Sequence, residues 1–71
     1  MSETPTNLAE ALPREQQRVR GLIEFYRSIG PAGAFGVAMM QASLAAADRA
    51  AASGDVVAML AAYQDLKEYE E

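Results

Sequence analysis

The residues best placed to do chemistry are the glycines of Gly30-Pro31-Ala32-Gly33-Ala34-Phe35-Gly36 and the arginines just before them. Glycines at a helix start let free backbone N–H groups come close to an anion, and the helix dipole favours negative charge there. Arg27 lies one turn upstream, with Arg20 two turns before it on the same face. Together with the backbone of Gly33, Ala34, Phe35 and Gly36, and with Tyr26 as a stacking ring, they make a candidate site for a phosphate, a nucleotide or a carboxylate. The spacing is neither GxxxxGK[ST] nor GxGxxG after a strand. A tight helix–helix connection uses the same residues differently: Gly33 and Gly36 allow close packing and Phe35 fills the core.

Catalysis has little else to work with. The chain has no cysteine and no histidine, so acid–base work would fall to carboxylates, lysine or tyrosine. Ser28, Ser43 and Ser53 have no base at a recognisable spacing. Only carboxylate and carbonyl ligands remain for a metal, and no metal or cofactor site is expected. The expectation is a binding protein and not an enzyme.

Charge is unevenly placed. The net charge is −4, which argues against non-specific DNA binding by the whole chain. Arg14, Arg18, Arg20 and Arg27 give the stretch from Pro13 to Ile29 an excess of basic residues, whereas Asp55, Asp65, Glu68, Glu70 and Glu71 make the end acidic. A helix-turn-helix reader needs a polar or basic recognition helix, whereas helix three is acidic and helix two is nearly all alanine. The longest uncharged stretch, Ser28 to Ala47, is interrupted by glycine and proline and rich in alanine, unlike a membrane span. With no secretion signal visible at the start, a cytoplasmic location is expected.

The elements that must position these residues are helices. Residues 1–7 read as a disordered tail, and 8–71 as a single helical domain. Asn7 and Glu10 have capping-box spacing and open a short turn through Leu12. Pro13 suits the first turn of the next helix, Gly30-Pro31 ends it, and Ser53-Gly54-Asp55 closes one helix and caps another. This punctuation predicts helices over about 13–29, 32–53 and 55–69. Helix one carries a stripe of Leu12, Val19, Leu22, Ile23, Tyr26 and Ile29, widened by Phe25; helix three carries Val56, Met59, Leu60, Tyr63 and Leu66.

Helix two is apolar on two sides. Phe35, Met39, Ala42 and Ala46 line one; Val37, Met40, Leu44, Ala47 and Ala51 line nearly the opposite one. Either helices one and three cover both, in a monomeric three-helix bundle, or a second copy packs there. A lone core of 71 residues is barely sufficient, and disulfides are ruled out by composition. The reading is therefore an all-α three-helix bundle or helical hairpin, assembled into a homo-oligomer through the alanine-rich helix two. Val37, Met40, Leu44, Ala47 and Ala51 are its expected interface. Arg18 projects within the apolar arc of helix one, either paired with Glu15 or reaching across that interface.

The runs LPREQQRVRGLIEFYRSIGPAGAFGVAMM and AADRAAASGDVVAMLAAYQDLKEYE, and within them GPAGAFG and SGDVVAML, resemble small uncharacterised proteins encoded in phage and prophage regions of proteobacteria. The resemblance covers about Leu12 to Glu70 and carries no site residues with it. It implies a setting: an accessory protein acting in the bacterial cytoplasm. Such a protein would neutralise or sequester a host component, whether a defence protein or a small signalling nucleotide; the alternative is a phage structural or assembly factor that acts only by helix packing.

Overall fold

The computed structural model describes residues 7–69, so the tail expected over 1–7 lies, apart from Asn7, outside the described residues. Three helices pack together with no strand among the described residues: α1 over Leu8–Ile29, α2 over Ala34–Ser53 and α3 over Val56–Lys67. A 3₁₀ turn, Pro31–Gly33, leads into α2. The chain is a three-helix bundle in which each helix packs on both others.

Each boundary has a local cause. Asn7 accepts the Glu10 N–H on its side-chain oxygen at 2.9 Å, satisfying one of the donors a helix start leaves free. Gly30 ends α1 at a φ of 91°, and Gly54 ends α2 at a φ of 72°. Those backbone angles are cheap only for glycine. Asp55 then accepts the N–H groups of Val57 and Ala58 on its carboxylate, at 3.0 and 3.3 Å.

Pro13 departs from expectation. It does not open a helix but sits in the second turn of α1, which runs unbroken from Leu8. Proline lacks the N–H that would bond the carbonyl four residues back, here that of Ala9. Both residues are exposed, while Leu12 on the inner side anchors the turn in the core.

The core draws Leu12, Val19, Leu22 and Ile23 from α1, Met40, Leu44, Ala47 and Ala50 from α2, and Ala62 and Leu66 from α3. Gln16 is buried among them and donates from Nε2 to Asp48 Oδ1 at 2.7 Å. Two expected stripes are corrected here. On α1, Phe25 and Ile29 are exposed instead of buried. On α3, the inner side is Ala58, Met59, Ala62, Tyr63 and Leu66, leaving Val56, Val57 and Leu60 to solvent.

Candidate interaction surface

Around the glycines, the backbone is occupied with its own turn. The Gly33 N–H donates to the Gly30 carbonyl at 2.9 Å, and the Ala34 N–H donates to the Pro31 carbonyl. Two of the donors that an anion would need are thereby bonded. Gly33 is buried against the Tyr26 carbonyl, so closely that a Cβ there would overlap it. A Cβ on Gly36 would come within 2.8 Å of Tyr26 Cδ2. Both glycines let α1 and α2 approach at Tyr26, which is the tight-connection role.

The other members of the candidate anion site divide. Arg20 and Arg27 lie on one flank of α1, lining a shallow depression with Gln41; Arg27 lines a second with Ala34 and Ala38. Each faces an acid: Arg27 lies 3.5 Å from Glu24, and Arg20 lies 3.9 Å from Asp48. Tyr26, Gly33 and Gly36 line neither depression. Phe35, expected in the core or beside a ligand, is 77% exposed.

The residues assigned to contacts between copies also divide. Met40, Leu44 and Ala47 are buried in the chain's own core, covered by α1 and α3. That side of α2 is closed to a second copy, a correction whose physical reason is that helices one and three suffice to cover it. Val37 is half-buried against the same core and Ala51 is exposed at the far end. Arg18 works within the chain: Nε donates to Glu15 Oε1 at 3.1 Å and Nη2 to the Leu66 carbonyl at 3.0 Å. It thus ties α1 to the last turn of α3, whose Leu66 carbonyl also accepts the Tyr69 N–H at 3.2 Å.

The opposite side of α2 is the open one. At 1.5 Å per residue, α1 is about 33 Å long and α2 about 30 Å, whereas α3 is about 18 Å. The end of α3 is held at Arg18 on α1 and, through Tyr69, at α2: the Tyr69 hydroxyl donates to the Met39 carbonyl at 3.1 Å and lies 2.8 Å from Ser43 Oγ. Beyond that point the α1–α2 hairpin continues alone. Its uncovered face is a shelf bearing Phe25, Ile29, Phe35 and Met39, all substantially exposed. Tyr26 floors the shelf, with its ring against Gly36 and the Phe25 ring edge-on at 6.0 Å. No charged side chain belongs to this set.

Sequence reasoning missed the shelf because it placed Phe25 and Ile29 in a buried stripe. The signal was present in the helix lengths: two long helices and a short third cannot be covered evenly. Among the described residues no helix is long and apolar enough to cross a membrane. Comparison with protein-family models, curated proteins and solved structures finds no match to this chain.

Proposed function

We propose that this chain is a non-catalytic binding protein whose working surface is the shelf of Phe25, Ile29, Phe35 and Met39, and whose ligand is protein. The shelf itself carries this reading: a two-helix layer with large apolar side chains on one open face is the form an interaction site takes. Protein is favoured over a nucleotide because the glycines that suggested phosphate binding are engaged by Tyr26, and the two arginines face Glu24 and Asp48. Assembly into a homo-oligomer belongs to the same reading, with the Phe35–Met39 side of α2 in place of the Met40–Leu44 side. In the phage setting that the resemblance implies, the complex would act in the bacterial cytoplasm on a host component.

A photo-crosslinking residue in place of Phe25 tests this directly. Irradiation in the cell should give an adduct of discrete mass, while the same residue in place of exposed Ala45 should give none. Absence of any adduct from Phe25 sinks the reading. Calorimetry with a panel of nucleotides should show no heat of binding; saturable binding that Arg27→Ala abolishes would restore the nucleotide alternative.

A further inference from the structure

Among the described residues seven large apolar side chains are exposed, and they fall into two groups. Four form the shelf. The other three, Val56, Val57 and Leu60, lie on the outer side of α3, turned away from the core residues Ala62 and Leu66. We infer that the two groups meet between copies of this chain: the outer side of α3 of one copy lies on the shelf of a second, and reciprocally.

Resting on the reading of the shelf as a protein-binding surface, this inference names its occupant. Three observations select a second copy. The first is position: α3 stops at Arg18 on α1 and, through Tyr69, at Met39 on α2, so the shelf begins where α3 leaves off and is open to the α3 of a second copy. A two-fold axis beside the end of α3 sets the second α3 beyond the first, in one layer, with a hairpin above and a hairpin below. Each α3 is then covered on both sides and each shelf is filled.

The second is area. These seven residues together expose at most about 700 Å² per copy, somewhat under the roughly 800 Å² per partner of a stable protein interface. Either group alone falls far short of that figure, and the reciprocal contact uses both. The third is charge. The seven contact side chains are all uncharged, and the charged residues of the same helices, Arg20, Glu24 and Arg27 on α1 and Asp65 on α3, are not among them. Their meeting therefore buries no charge of its own.

Because each contact joins unlike surfaces, mixing two defective variants tests it. Phe35→Lys damages the shelf and Val57→Glu damages the outer side of α3; both positions are exposed in the single chain, so folding should survive, as circular dichroism checks. In sedimentation equilibrium the native chain should have twice the 7.6 kDa of one copy, and each variant alone should fall to one. An equimolar mixture should return to two, since one of its two contacts joins the intact shelf of one variant to the intact α3 of the other and the second sets the introduced lysine against the introduced glutamate. Ile29→Lys and Leu60→Glu replace them if either unfolds. A native chain that stays single, a variant that still pairs with itself, or a mixture that does not pair overturns the inference. A single native chain whose Phe25 position still crosslinks to another protein would leave the binding reading standing.

Discussion

The ring of Tyr26 lies against α2 at Gly36, with Cδ2 2.8 Å and Cε2 2.9 Å from where a Cβ would stand. Three glycines in this chain should consequently respond to alanine in three ways. Gly33→Ala meets the Tyr26 carbonyl, which is helix backbone and cannot yield, and should destabilise by about 2–4 kcal/mol. Gly36→Ala meets only the ring edge, which can tilt, so a loss of about 1 kcal/mol is expected after the gain in helix propensity. Gly21, in the middle of α1, has nothing within 4 Å, and Gly21→Ala should stabilise by about 0.5–1 kcal/mol. Urea denaturation of the three variants checks the order. If Gly33 and Gly36 tolerated alanine without loss, packing against Tyr26 would not be why they are glycine.

Pro13 makes a second test, because its effect depends on where α1 begins. At the first position of a helix proline is favourable, and replacing it would gain nothing. In the second turn it forfeits a hydrogen bond and crowds the carbonyl of Ala9. Pro13→Ala should therefore raise stability by about 1–3 kcal/mol, reduced somewhat by the greater freedom of the unfolded chain. Thermal unfolding measures it; an unchanged or lower midpoint would place the start of α1 at Pro13 and not at Leu8.

The punctuation of this fold was legible residue by residue. Asn7, Gly30, Gly54 and Asp55 act where their types say they should, because capping and positive φ are local requirements. The faces were harder. Met40, Leu44 and Ala47 were recognised as one side of α2, but nothing local says which side of a doubly apolar helix its neighbours cover. The same ambiguity misplaced α3, where Val56 to Tyr63 is apolar at every residue and periodicity cannot select a side. Gln16 was missed because its burial depends on Asp48, 32 residues away. The anion site failed to converge for a related reason. Arg27 and Tyr26 are adjacent in sequence but about 100° apart around α1, so they serve different flanks.

Pairing of copies also carries a prediction about salt, and its sign is informative. Each copy has a formal charge of −4, so two copies repel, while the proposed contact is uncharged and has no ion pair for salt to weaken. With centres about 25 Å apart, repulsion in water is about 1 kcal/mol at about 0.01 M ionic strength and nearly vanishes at about 0.2 M, where the screening length is under about 10 Å. The dissociation constant should therefore fall roughly five-fold over that range. Sodium chloride is the salt to use, since sulfate strengthens apolar burial by itself. Pairing that weakens as salt is added would mean the copies are held by the basic side of α1 against the acidic end of another chain, and the apolar shelf would then need a different occupant.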